Sequence, residues 1–221
     1  MLSLRTLAIS LILLPVLVGA AEAVPPATFK AGVDYVKLAN NIPDSSDNQQ
    51  VSVVEFFSYG CSWCARLEPS LEKWLKANAA KIEFSRAPVV FNPTWQVYAR
   101  AYYVAYGLGV EDKLTPAIFN VIHLKKENLT TEEKMQAFFE QNGVSKEDFN
   151  SAYSTSPTVD AETAQAQSLA RDYEITGVPA FVVGGKYKTD PGMVNGDLSK
   201  LLQVVDFLIA KERAHLTKNK S

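Results

Sequence analysis

The sequence predicts an α/β fold interrupted by an all-helical insertion. Three observations carry the prediction. Val51–Phe57 is a short, nearly continuous apolar run, strand character returns far along the chain at Ala180–Val183, and the stretch from Asn92 onward repeats its apolar residues at helical spacing with no strand pattern of its own. Strands before and after a purely helical block place residues 24–92 and 159–221 in one split domain and residues 93–158 in the insertion.

The chain opens with Met1, one early cation, Arg5, and an apolar run from Leu7 to Val18. That run is short for a membrane span, which needs roughly 20 apolar residues. Ala21-Glu22-Ala23 follows, with the small-x-small form of a signal-peptidase site. Residues 1–23 are expected to be a cleaved export signal, cut after Ala23 or, as the other option, after Ala21. The alternative is a short membrane anchor that stays attached. No cysteine lies near the site, so a lipid-anchored form is not expected.

Val24–Asn41 is a mixed lead-in and Asp44–Gln50 a polar, turn-like stretch. Val51–Phe57 suits a strand buried on both faces. Ser58-Tyr59-Gly60 leads into Cys61-Ser62-Trp63-Cys64, and Leu67, Leu71, Trp74 and Leu75 continue at helix spacing, with Pro69 expected to kink that helix. Ile82–Val90 is a second strand candidate.

In the insertion, Tyr98, Ala101, Tyr102, Ala105 and Leu108 make one helical face, and the aromatics Trp95, Tyr98 and Tyr102 read as core and not as a binding surface. Thr115-Pro116 has the form of an N-cap followed by proline at the first helical position. Thr130 and Glu133 have capping-box spacing before Met135, Phe138 and Phe139, with Gly143 as the stop. Ser145 caps a short helix carrying Phe149, Ala152 and Tyr153, and Asp160–Tyr173 is a further helix. After Ala180–Val183, Gly184-Gly185 turns the chain into Lys186–Lys188 as a hairpin. An amphipathic helix with Leu198, Leu201, Leu202, Val205, Leu208 and Ile209 on one face ends the pattern.

Charge names no partner. The formal net charge is −2, and there is no basic stripe of the kind nucleic acid requires. Lys211, Arg213, Lys218 and Lys220 read as a solvated end. Asn128-Leu129-Thr130 and Asn219-Lys220-Ser221 fit the glycosylation triplet, a pattern that arises often by chance.

The cysteines say more. There are 2, three positions apart. Exported proteins use cysteines as staples, but closing so short a loop removes little entropy from the unfolded chain. The pair therefore reads as reactive. At a helix N-terminus the unpaired amides and the helix dipole favour a thiolate and lower its pKa. Cys61 would sit at the exposed helix start, and Cys64, one turn on, would be shielded yet within reach of it. A substrate thiolate attacks Cys61 in the disulfide, and the substrate's second thiol then releases the enzyme as a dithiol. A zinc half-site has the same spacing but needs further ligands. No other cysteine exists, and His123 and His215 lie far apart, so no metal is expected, nor any cofactor beyond the Cys61–Cys64 disulfide itself. A structural disulfide and chance spacing are the other rival readings.

Val54-Glu55-Phe56-Phe57-Ser58-Tyr59-Gly60-Cys61-Ser62-Trp63-Cys64 resembles the active-site segment of the DsbA family of periplasmic thiol oxidases, and Thr176-Gly177-Val178-Pro179-Ala180 resembles its cis-proline loop. The leader, the helical insertion and the final strand–strand–helix are similar in layout. The resemblance implies a thioredoxin-like fold with an inserted all-helical domain, Cys61 as nucleophile, and Pro179 lying against the disulfide after a cis bond. Read on its own, Val178-Pro179 is an ordinary turn before a strand. A cis bond there would turn the Val178 backbone toward an extended substrate. Ser62, Trp63, Thr176 and Val178 are the expected substrate-contacting residues.

Glu55 has two readings: an acid at a strand edge with its carboxylate in water, or, as the family pattern favours, a buried acid beneath the disulfide that exchanges a proton with Cys64. Lys81 and Arg86 are both candidate partners. One departure stands out. The best-known family form has Pro-His between its cysteines, whereas this chain has Ser62-Trp63. Lacking that imidazole and that proline, the chain is expected to be a weaker oxidant with a higher Cys61 pKa. Trp63 is expected either exposed beside the disulfide or packed over the insertion.

The function these residues imply is oxidation of dithiols in reduced, newly exported client proteins in the periplasm, with reoxidation by a membrane quinone-linked partner. The alternatives are a disulfide isomerase or reductase of the same fold, and a non-catalytic chaperone-like binding module. The stretch between Ala23 and Val51 is too short for a separate dimerisation domain, although dimerisation through it stays open.

Overall fold

Side chains alternate across a strand, and that alternation sets the layers of this protein. The computed structural model describes residues 28–39, 50–154 and 156–218. The expected leader with its Ala23 cut, most of the Asp44–Gln50 stretch and the Asn219-Lys220-Ser221 triplet lie outside them.

The described strands are β1 (Val36–Lys37), β2 (Val51–Phe57), β3 (Ile82–Pro88), β4 (Ala180–Val183) and β5 (Tyr187–Thr189), and they form one sheet in the order β1-β5-β4-β2-β3. β2 and β3 run parallel, with Val51 opposite Ile82 and Glu55 opposite Arg86, joined through the helix α1 (Ser62–Asn78). β4 returns antiparallel to β2, and the β4–β5 hairpin turns on Gly184 (φ 58) and Gly185 (φ 63), the two positive values a tight hairpin turn demands. β1 was not anticipated within the lead-in: two residues carry no period, and it exists because β5 offers it an edge.

Val51 and Val53 face Leu67, Leu71 and Trp74 of α1 and the apolar stripe of α7 (Leu198–Lys218), including Leu201, Val205 and Leu208. Phe56 and Val182 face the other way, against Ala166 and Ala170 of α6 (Pro157–Asp172). α2 (Pro93–Gly107), α3 (Glu111–Phe119), α4 (Glu132–Gln141) and α5 (Lys146–Tyr153) form the helical block between β3 and α6. Its core includes Tyr98, Tyr102, Leu114, Ile118 and Phe139, and it merges without a break into Phe57, Tyr59, Cys61 and Cys64. Trp95 packs partly buried against the same cluster, so the aromatic face is core.

Several helix starts differ from the sequence expectation. α3 begins at Glu111, with Thr115 and Pro116 inside it. The Val110 carbonyl takes the amides of Lys113 (3.2 Å) and Leu114 (2.9 Å), and Glu111 and Asp112 complement the positive helix end. α3 then widens into a π-turn, Asn120–Leu124. The cap of α4 is Thr131, which accepts from the Lys134 amide at 3.4 Å, while the Thr130 amide donates to Asn128 Oδ1 at 2.9 Å. α6 starts at Pro157 because Ser156 caps it, accepting from the Val159 amide at 3.3 Å. Ser145 caps α5 as expected, and α1 is continuous through Pro69.

Candidate active site

β2 delivers the chain to a tight turn. The Cys61 amide donates to the Ser58 carbonyl at 3.0 Å, and the Gly60 amide donates to Ser58 Oγ at 3.2 Å. Glycine is required at position 60: a Cβ there would lie 2.3 Å from Nε1 of Trp95. Cys61 follows as the N-cap of α1, in extended conformation (φ −88, ψ 116). Its sulfur accepts the Cys64 amide at 3.1 Å, standing where a Ser or Asp oxygen usually satisfies an orphan helix amide. Its thiol donates to the Val178 carbonyl at 3.2 Å. Both thiols are free and both cysteines are buried in this structure, Cys61 not being the exposed residue the sequence suggested.

The two thiols are pushed in opposite directions. A hydrogen bond from the Cys64 thiol, joined by the amides of Cys64 and Trp63, holds Cys61 below the ordinary thiol value against the opposing effects of burial and of Glu55. Burial drives Cys64 well above it, reinforced by Cys61 and Glu55, with only the Ser58 backbone pulling back. One sulfur is thereby prepared as a nucleophile and leaving group and the other is kept protonated.

Beneath the pair lies a buried charge cluster. Glu55 is 1% exposed. Arg86 donates from Nε to Glu55 at 2.7 Å and from Nη2 to Glu68 at 2.7 Å. The β2–β3 register makes this possible by setting Arg86 directly opposite Glu55. Lys81, the other candidate, hydrogen-bonds Asn78 instead. Burial pushes Glu55 up to about 7; Arg86 pulls it down, and Glu68 adds to the rise. Glu68 is raised as well, chiefly by burial. Two carboxylates share one guanidinium, so the cluster retains a proton more readily than an exposed acid does. Glu68 was missed by sequence reasoning, yet a signal existed: it lies four residues after Cys64 and three before Leu71, on the buried face of α1.

Beside Cys61 is a groove of about 560 Å³ lined by Trp63, Thr176, Val178, Pro179, Asp190 and Gly196 among others. The Val178–Pro179 bond is cis. Pro179 is buried, while Thr176 and Ser62 are exposed. Trp63 is 38% exposed, with the Arg66 guanidinium 3.6 Å above its ring. A Cβ on Gly196 would approach the indole to 3.1 Å. Trp63 therefore packs toward the loop before α7, at the groove rim, instead of over the insertion.

Two further contacts tie the helical block to the turn. Tyr59 Oη and Thr115 Oγ1 are 2.9 Å apart in the core, and His123 Nε2 lies 2.7 Å from the Tyr59 carbonyl. Neither was anticipated. Among the described residues no group of three or more His, Cys, Asp or Glu is placed to hold a metal ion.

Comparison with known proteins decides the family. A profile described as a DSBA-like thioredoxin domain matches residues 52–203. The chain belongs to the DsbA-like thioredoxin family. The thiol:disulfide interchange protein DsbA of Burkholderia cepacia is 40% identical to it over 191 residues, spanning 86% of this chain and 89% of that protein. The crystal structure of Pseudomonas aeruginosa DsbA matches with a TM-score of 0.79 at 36% identity, covering 86% of this chain and 97% of that one. A structure of Proteus mirabilis DsbA with the non-covalently bound peptide PWATCDS matches with a TM-score of 0.67 at 28% identity, covering 83% and 100%. The fold is thus the thioredoxin-like fold with a helical insertion, and the DsbA-like span holds Glu55, both cysteines and the Val178–Pro179 loop.

Proposed function

We propose that the protein is an exported thiol:disulfide oxidoreductase that introduces disulfides into newly translocated proteins through Cys61 and Cys64. The observation that carries the reading is the pair itself: a Cys61 sulfur capping a helix and held low, above a Cys64 thiol that burial keeps protonated.

In the disulfide form a client thiolate attacks Cys61 Sγ. The client–Cys61 bond forms, the Cys61–Cys64 bond breaks, and the electron pair leaves on Cys64, which takes up a proton. Glu55, with its value pushed up to about 7, is the buried acid suited to supply it. The client's second thiolate then attacks the client sulfur, closing the client disulfide and expelling Cys61 as a thiolate. The client is oxidised by two electrons and the enzyme is left as the dithiol. A membrane quinone-linked protein reoxidises it.

The client segment lies extended along the Val178 backbone in the groove, between the cis Pro179 loop and Trp63, with Thr176 in its lining, whereas Ser62 lines a separate cavity shared with Phe119 and His123. The non-covalently bound peptide of the Proteus relative supports a peptide segment as the kind of client bound. The apolar run Leu7–Val18 followed by Ala21-Glu22-Ala23 supports export to the periplasm with removal of residues 1–23. The isomerase, reductase and chaperone-like alternatives are not favoured by these relatives.

The test is oxidation of a reduced, unfolded client by the purified disulfide form. Replacement Cys61→Ser abolishes it if the reading is right. Survival of client oxidation in that variant refutes the chemistry, and a strongly reducing equilibrium with glutathione moves the assignment to a reductase. Because Ser62-Trp63 offers no imidazole between the cysteines, titrating the thiolate absorbance should give a Cys61 pKa above that of relatives with Pro-His.

A further inference from the structure

We infer that His123 is a positioning residue for the redox pair, holding from the helical insertion the turn on which both sulfurs depend. The inference rests on Cys61–Cys64 being the working pair. In a four-residue turn the central peptide can lie either way up, and glycine at the third position permits both arrangements. Here that peptide is Tyr59–Gly60, and the turn is closed by the Cys61 amide on the Ser58 carbonyl. Gly60 lies outside the left-handed region, so one of the two arrangements is selected.

Both polar ends of the central peptide are tied. The Gly60 amide donates to Ser58 Oγ at 3.2 Å, a local bond. The Tyr59 carbonyl faces His123 Nε2 at 2.7 Å, across 64 positions of chain. A carbonyl only accepts, so the imidazole carries its proton on Nε2 and donates it.

The insertion is shaped for this contact. Thr115 fixes the far end of Tyr59 through its hydroxyl, and the Phe119 ring packs edge-on against Tyr59 (5.3 Å) and beside His123 (6.1 Å). His123 itself sits in the π-turn that follows α3, where the extra residue per turn changes the direction of the side chains beyond it. The turn in turn governs both sulfurs. It sets the Cys61 amide through Ser58, and it aims the Ser58 backbone at Cys64. Turning over the Tyr59–Gly60 peptide would disturb both at once, while leaving the cores on either side intact.

The experiment is the thiol–disulfide equilibrium with glutathione for the wild type and for His123→Gln, His123→Asn and His123→Leu, with thermal unfolding of each alongside. Glutamine carries an N–H at about the reach of Nε2; asparagine falls a bond short and leucine has no donor. One hydrogen bond of ordinary net strength corresponds to a shift of about two- to tenfold. The glutamine protein should stay within about twofold of wild type. With the bond tighter in the dithiol form described here than in the disulfide, as the inference requires, the asparagine and leucine proteins should move about two- to tenfold toward the disulfide. An asparagine protein that matches wild type, or a glutamine protein that shifts as far as asparagine, overturns the inference. A wild type that reaches no equilibrium with glutathione overturns the redox reading as well, whereas a normal wild-type equilibrium unmoved by asparagine overturns the role of His123 alone.

Discussion

Replacing Glu55 with glutamine keeps the shape of the side chain and removes its proton equilibrium. In the folded protein, burial raises Glu55 from 4.5 to about 7 despite the pull of Arg86. In the unfolded chain it returns to the ordinary carboxylate range. Between those two values the folded protein holds a proton that the unfolded chain has released, so this group makes folding less favourable as pH rises. The loss begins near pH 4.5 and is complete just above pH 7. At 1.36 kcal/mol per tenfold, the span from 4.5 to about 7 amounts to about 3 kcal/mol. Glu55→Gln has no such proton to lose. Wild-type stability should therefore fall by about 3 kcal/mol more than that of the variant between pH 4.5 and pH 7.5. Urea unfolding of both proteins as dithiols, at closely spaced pH values and with constant slope, reads the difference directly. A wild-type-minus-variant difference that is flat across this window, or that rises with pH, refutes the argument that Glu55 is a buried acid raised by desolvation.

Three shorter predictions follow from the same contacts. Limiting iodoacetamide at neutral pH should label Cys61 well before Cys64, since the first is lowered and the second raised; peptide mapping showing equal labelling refutes the asymmetry. Thr131→Ala should cost about 1 kcal/mol of stability through loss of the α4 cap, and Thr130→Ala clearly less, a comparison that thermal unfolding settles. Gly60→Ala should destabilise by about 1–3 kcal/mol, because the added methyl meets the Trp95 ring. Adding Trp95→Leu should recover part of that loss, and strict additivity in the double variant argues against the clash.

The parts of this molecule legible in its sequence are those set by neighbours in the chain. The apolar run Val51–Phe57, the Gly184-Gly185 turn and the stripe of α7 each encode their own geometry, and the short Cys-x-x-Cys spacing excludes a useful staple. Glu55 between Val54 and Phe56 already posed the choice between water and a buried partner. What sequence could not supply was the partner. Arg86 and Lys81 are both cations on or beside β3, and only the strand register, Glu55 opposite Arg86, separates them. The same holds for Thr115. Its neighbour Pro116 resembles a helix start, but its hydroxyl is engaged by Tyr59 from another element, and α3 begins where Glu111 and Asp112 suit the helix end. His123 lies in a π-turn, which has no short-range signature, so its contact with Tyr59 becomes visible only when α3 is docked. β1 depends in the same way on the edge of β5.

The continuity of the insertion's core with Cys61 and Cys64 bears on how such a protein can be altered. A shortened chain that joins the end of β3 to the start of α6 keeps every strand among the described residues, both cysteines and the Pro179 loop, and on a diagram looks like a complete minimal enzyme. It would nevertheless lose Tyr98, Tyr102, Leu114, Ile118 and Phe119, members of the same core as Phe57, Tyr59 and both cysteines, with Tyr102 and Phe119 in direct ring contact with Phe57. The helical block is therefore not a removable ornament on a self-sufficient redox scaffold. Transplanting this reactivity to another host means moving a wall of the reaction vessel along with the Ser62-Trp63 loop.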